Sequence, residues 1–275
     1  MISKKDNGKW SGYEKILLPL GHRADINNLT NLTSFLIEKR KGEVELIHVM
    51  PEGQYSRVPK EWREGSKRVT ESHHRMMTLG IHSNRKMTTA KSVERGILEE
   101  AYDIDADAII LGWGPKPKSK ISNMASHIMN NSHCDVIIYK NRNDLDDINN
   151  ILYPIAFEPD PSRMNLISRI IGETGAQLTI AHMIDKYGGN EQKGQNLLDR
   201  AIEDAKNYDI DAESLLLKGK NVEDEVGKVS EDFDLLIIGP SGDWWVYQTL
   251  FGKKTDRIAS KAKCSILLHK YKKEE

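Results

Sequence analysis

Cysteine is scarce in this sequence. Two cysteines among 275 residues can form neither a disulfide framework nor a four-ligand zinc site. Net charge is nearly absent as well. Forty basic side chains against forty-one acidic ones give −1, so no overall field draws the chain to nucleic acid. Residues 1–140 carry five more basic than acidic side chains and 141–275 six more acidic than basic, too mild a split to name a partner. No uncharged apolar stretch approaches the roughly 20 residues that a bilayer span needs. The opening residues, Met1 to Lys9, have no apolar core, so no secretory signal is expected and a cytoplasmic location is the default. Also missing are Gly-x-Ser-x-Gly, a Walker loop, the Gly-x-Gly-x-x-Gly fingerprint and His-Glu-x-x-His, so no catalytic apparatus is expected. What remains, 38% hydrophobic and 29% charged residues, is the composition of a soluble globular protein with room for two ordinary domains.

The chain repeats itself. Ile16-Leu17-Leu18-Pro19-Leu20 reads like Ile151-Leu152-Tyr153-Pro154-Ile155, and Leu46-Ile47-His48-Val49 like Ile180-Ala181-His182-Met183. Asp107-Ala108-Ile109-Ile110-Leu111-Gly112 matches Asp234-Leu235-Leu236-Ile237-Ile238-Gly239, and Cys134 to Ile138 matches Cys264 to Leu268. Four anchors in one order, at offsets of 127 to 135, describe two copies of a unit, 1–140 and 141–275. In each, short Ile/Leu/Val runs alternate with amphipathic stretches of ten to twenty residues. The second copy predicts strands near 150–155, 177–184, 211–217, 234–238 and 264–269. Helices are predicted over 161–173, 191–207, 222–232 and 245–263. Continuous apolar strands alternating with helices point to an α/β fold with two tandem five-stranded parallel sheets, helices covering both faces of each.

In such sheets a ligand sits beyond the carboxyl ends of the strands, where strand order reverses. The loop after the second copy's fourth strand is the informative one: Gly239-Pro240-Ser241-Gly242, nine residues, then Gly252-Lys253-Lys254-Thr255. Glycines let a backbone approach phosphate closely, and a helix starting near Gly252 points free amides at it.

Both copies resemble the universal stress protein domain, whose pattern is Gly-x2-Gly-x9-Gly followed by Ser or Thr. Gly239, Gly242 and Gly252 keep that spacing. The resemblance implies an adenine-nucleotide alpha-hydrolase-like fold with strand order 3-2-1-4-5, and ATP or another adenine nucleotide, with or without Mg²⁺, on the glycine loop. Lys253, Lys254 and Thr255 would then serve the phosphates, the backbone at Met183 would face adenine, and Ala156 would stand beside the nucleoside. Three departures qualify this: Ala156 and Gly21 replace the acidic residue usual after the first strand, and Lys253 replaces Ser or Thr. The first copy has a shorter loop, Gly112-Trp113-Gly114-Pro115 with lysines at 116, 118 and 120, and Ser122-Asn123 where Gly-Ser would stand. Nucleotide is therefore expected on the second copy and not on the first. The resemblance also suggests that the last strands, 134–139 and 264–269, pair within the chain as an internal pseudo-dimer able to dimerise again.

Other conspicuous residues have plainer readings. His48 and His182 are expected as strand-end histidines packed near the pocket rather than a catalytic pair. His73, His74, His127 and His133 lack ligand partners at metal spacing, and Cys134 and Cys264 are expected to be buried, inert thiols. Trp244-Trp245 could cover a nucleotide but better suits docking, on a partner or on the first copy. The Lys253-Lys254-Arg257 cluster is a solvated helix face or a lure for phosphate. The leading expectation is a non-enzymatic regulatory protein with an unidentified protein partner, its second domain binding adenine nucleotide. The rival is an interaction module without nucleotide, for instance one regulating a membrane transporter.

Overall fold

The computed structural model describes residues 10–21, 24–52, 58–113, 123–142, 144–185, 191–239 and 253–272. The described residues fall into two compact units. The first holds those up to Tyr139 together with those from Lys270 onward, and the second is Lys140–His269.

The first unit alternates β1 (Lys15–Pro19), α1 (Ile26–Leu36), β2 (Glu43–Pro51), α2 (Val58–Thr78), β3 (His82–Ala90), α3 (Val93–Asp103), β4 (Ala108–Gly112), α4 (Asn123–Asn131) and β5 (Asp135–Lys140). The second repeats the series with β6 (Asn150–Ile155), α5 (Pro161–Thr174), β7 (Gln177–Asp185), α6 (Glu191–Ala205), β8 (Ala212–Gly219), α7 (Val222–Val229), β9 (Leu235–Ile238), α8 (Lys253–Lys261) and β10 (Ser265–Lys270). Within each unit the described strand pairs are parallel. The orders are β3-β2-β1-β4-β5 and β8-β7-β6-β9-β10, the 3-2-1-4-5 arrangement that the resemblance implies. Right-handed crossovers place α1 with α2 on one face of the first sheet and α3 with α4 on the other, and those pairs pack together.

Burial follows the residue types. Ile16, Leu17 and Leu18 of β1 and Leu235, Leu236 and Ile237 of β9 are fully buried, as central strands covered on both faces must be. Polar residues collect on the outer strand β3 instead, where Asn84, Arg85 and Thr89 are exposed.

The repeat extends to polar hardware. Asp107 Oδ2 accepts the amides of Glu14 and Lys15, both at 2.8 Å, and Asp234 Oδ2 accepts those of Asn149 and Asn150, both at 2.9 Å. Each aspartate thus clamps the start of its unit's first strand. Asp25 caps α1 through the Asn28 amide and Asp160 caps α5 through that of Arg163, with Pro161 in the first turn where its missing N–H costs nothing.

Three helices end earlier than the pattern predicts, α8 at Lys261 among them. α6 stops at Ala205 and passes through a 3₁₀ turn to Asp209, whose φ of 56° is left-handed and breaks the helix. α7 stops at Val229. There the buried Ser230 hydroxyl donates to the Gly227 carbonyl and accepts the Lys263 amide, drawing the backbone into a 3₁₀ turn. Of the predicted helix 245–263, residues 245–252 lie outside the described residues.

Candidate functional site

In each unit the first and fourth strands pair over only two residues. These are Ile16↔Ala108 and Leu17↔Ile109 in the first unit, and Ile151↔Leu235 and Leu152↔Leu236 in the second. Beyond these pairs the ladder ends, at the reversal of strand order, where open α/β sheets take ligands in a crevice.

In the second unit Gly239 follows the last residue of β9 and so stands at the mouth of this crevice. Ala156 follows β6 and is exposed. The β6–β7 register ends at Ile155↔His182, one residue short of Met183, which stays paired with Leu217 of β8. The β6-facing edge of Met183 therefore lies beyond the ladder. Lys253 and Lys254 open α8, and Thr255, third in that helix, is buried. Arg257, instead of reaching into the crevice, pairs with Glu223 of α7 at 3.2 Å. Gly242, Gly252 and Trp244-Trp245 lie outside the described residues, as do the Pro and Lys residues at 115–120 and Ser122 of the first unit.

The crevice holds a residue that sequence reasoning passes over. Arg163 of α5 is 6% exposed; its Nη1 donates to the Tyr153 hydroxyl at 3.3 Å and its Nη2 to the His269 carbonyl at 3.2 Å. Its Cζ lies 5.8 Å from the centre of the Tyr153 ring. A β carbon built on Gly239 would come within 2.7 Å of Nε and nearer still to Cζ and Nη2. The space that any side chain at 239 would need is therefore filled by a guanidinium.

Both units share a histidine lock. His48 Nδ1 donates to the Leu20 carbonyl at 2.6 Å, and His182 Nδ1 donates to that of Ile155 at 3.0 Å. Since a carbonyl only accepts, Nδ1 carries the proton in each. A glycine inside the neighbouring helix lets the ring in. A β carbon on Gly65 would meet His48 Nε2 at 2.6 Å, and one on Gly194 would meet His182 Cδ2 at 3.2 Å. The rings thus fix the carbonyl ends of the two first strands, the packed role expected of them. Gly65 and Gly194, at matching places in the long second helices, are the sequence signal that could have found the lock.

The first unit fills its crevice differently. Gly21 is exposed after β1, Leu29 Cδ1 lies 3.6 Å from a β carbon built on Gly112, and Trp113 is buried with its amide on the Tyr139 carbonyl. Asn28 occupies the place of Arg163, its amide side chain turned to Asp25. Cys134 and Cys264 are buried, and burial pushes both thiols up to about 11, which keeps them protonated at neutral pH. Among the described residues no group of three or more His, Cys, Asp or Glu side chains is arranged to hold a metal ion.

Two grooves open on the second unit. One of about 700 Å³ lies between the β6–α5 loop and α6, lined by Ala156, Phe157, His182, Lys193, Leu197 and Arg200. Another of about 1040 Å³ lies by α7 and α8, with Lys218, Lys220, Lys228, Lys261 and Lys263 on its walls. Neither includes Gly239 or Arg163. Among the described residues no helix is long and apolar enough to cross a membrane.

Residues 12–140 match the family model described as the Universal stress protein family. Among solved structures, a universal stress protein from Archaeoglobus fulgidus DSM 4304 is 15% identical, covering 93% of this chain and 97% of that one with a TM-score of 0.65. A functionally unknown protein from Pseudomonas aeruginosa PAO1 is 12% identical, covering 94% and 92% with a TM-score of 0.62. The cytoplasmic domain of a prokaryotic cation chloride cotransporter is 15% identical, covering 97% and 98% with a TM-score of 0.61. At these identities the likeness is one of fold. No curated protein matches the sequence.

Proposed function

We propose, from the premise that residues 12–140 belong to the universal stress protein family and that the second unit repeats their fold, that this chain is a non-catalytic, cytoplasmic regulatory protein whose second unit binds an adenine nucleotide. The observation that carries the reading is the end of the β6–β9 ladder at Leu152↔Leu236, with Gly239 just beyond β9 and the Gly239-Gly242-Gly252 spacing in the sequence. The buried Arg163 fits such a ligand, since it supplies positive charge where phosphates would lie. Gly239, Gly242, Gly252, Lys253, Lys254 and Thr255 are the residues that would hold the phosphates, with Mg²⁺ as their counter-ion. Met183 would offer its backbone edge to adenine, and Ala156 would flank the nucleoside. Bound nucleotide acts here by shifting populations, so that it changes which protein partner the surface accepts.

The test is calorimetric titration of ATP with Mg²⁺ into protein first extracted for carried-over nucleotide. One equivalent is expected to bind, and Gly252→Trp is expected to abolish binding. No heat together with no extracted nucleotide would overturn the reading.

A second reading, an interaction module without nucleotide, draws support from the cotransporter domain, whose tandem fold runs over almost this whole chain. Its mark is partner capture that survives changing Lys253 and Lys254 together to Glu.

A further inference from the structure

We propose that Arg163 is the anion-recognising side chain of the second unit, holding a phosphoryl group at the carboxyl ends of β6 and β9. The proposal rests on the nucleotide reading above for the identity of the ligand, and on the described residues alone for the charge.

A guanidinium has five N–H donors and stays ionised, so burying it without an anion is unfavourable unless something compensates. Arg163 is nine-tenths buried, and its two hydrogen-bond partners, the Tyr153 hydroxyl and the His269 carbonyl, are both neutral. Among the described residues no carboxylate comes within ion-pairing distance of Arg163 and none hydrogen-bonds its buried Nε. Asp160, the nearest acid in sequence, accepts the Arg163 backbone amide. Among the described residues, the guanidinium therefore has hydrogen bonds but no counter-charge.

Placement narrows what that charge is. Nε and Nη2, the pair with which arginine grips a phosphate or carboxylate side-on, are the nitrogens lying over Gly239. They stand where the sheet's strand order reverses, at the start of the segment that carries the glycine spacing. Ala156 leaves the end of β6 without a carboxylate to compete for the guanidinium. The first unit supplies the contrast. At the matching position it has Asn28, satisfied by Asp25, and it lacks the glycine spacing. The arginine and the glycine spacing occur in the same unit.

The experiment compares three probes, ATP, inorganic triphosphate and adenosine, on the full chain by calorimetry. Arg163→Met is expected to weaken ATP and triphosphate by about tenfold to a hundredfold, the worth of one or two charge-assisted hydrogen bonds, and to leave adenosine within about twofold. A merely structural arginine predicts equal losses for ATP and adenosine, and that result overturns the proposal. Undiminished triphosphate binding overturns it too. If Arg163→Met does not fold, Arg163→Lys serves. It keeps the charge but not the fork, and about a threefold or larger loss for triphosphate with adenosine unchanged is expected, whereas equal affinity overturns the proposal. The two readings separate cleanly. Wild-type protein that binds triphosphate but gains nothing from adenine refutes the nucleotide reading and keeps Arg163. ATP binding that ignores the Arg163 variants does the reverse. Protein that binds neither ATP nor triphosphate refutes both.

Discussion

Replacing Gly239 by alanine adds one methyl group to the second unit, and the structure says where it goes. The backbone of Gly239 is not left-handed, so alanine meets no strain of its own there. The obstacle is the Arg163 guanidinium, with Nε 2.7 Å from the new carbon and Cζ and Nη2 closer. The guanidinium must move, and moving breaks its bonds to the Tyr153 hydroxyl at 3.3 Å and the His269 carbonyl at 3.2 Å. Hydrogen bonds to charged groups contribute about 1.5–3 kcal/mol each, and bonds this long fall at the lower end. Partial relaxation leaves an expected loss of about 2–3 kcal/mol, or a fall in Tm of roughly 10 °C for a unit of this size. Urea unfolding followed by circular dichroism measures it, with a double-mutant cycle as the control. In an Arg163→Ala background the guanidinium is gone, and Gly239→Ala should then be nearly neutral. If its cost is the same in both backgrounds within about 0.5 kcal/mol, the packing argument is wrong.

Two further outcomes are expected. Asp107→Ala and Asp234→Ala each strip two backbone amides of their acceptor, and each should destabilise its own unit by about 1–3 kcal/mol in chemical denaturation. Lys140 is buried with its ammonium on the Ala259 carbonyl at 2.8 Å, and burial pushes its pKa down to about 8. The unfolded chain keeps that proton to about pH 10.4, so between the two values the unfolded state binds more protons and stability rises with pH. Relative to Lys140→Met, wild-type protein should gain up to about 1.4 kcal/mol per pH unit between roughly pH 8 and 10, and parallel pH profiles would refute the assignment.

Much of this fold is legible without coordinates, because the signals are local and duplicated. Strand 150–155 is read from a run of apolar residues and recovered as Asn150–Ile155, and helix 161–173 from Pro161 and Gly175 as Pro161–Thr174. Helix ends at Ala205 and Val229 escape such reading, because one hangs on a single left-handed residue and the other on a serine hydroxyl reaching a chain 33 residues away. Arg163 escapes for a stronger reason. In sequence it is one polar residue early in an amphipathic helix, which normally means a solvated side chain. Its burial depends on Tyr153, Gly239 and His269, the last 106 residues distant, and no spacing rule brings these together. The histidines lie between these extremes: their matching positions are visible in the repeat, but the carbonyls they hold are not.

The aspartate clamps also set a timetable for synthesis. Asp107 is made 92 residues after the Lys15 amide that it holds, and Asp234 is made 84 residues after that of Asn150. At about 5–20 residues per second, the first strand of each unit leaves the ribosome roughly 4–20 s before its anchor exists. Throughout that interval the run Ile16-Leu17-Leu18 is a sticky segment without its fixed neighbour. Its lookalike, Ile151-Leu152-Tyr153, is translated only after every strand of the first sheet has been made. The order of synthesis thus lets the first sheet close before a competing copy of its own central strand is present.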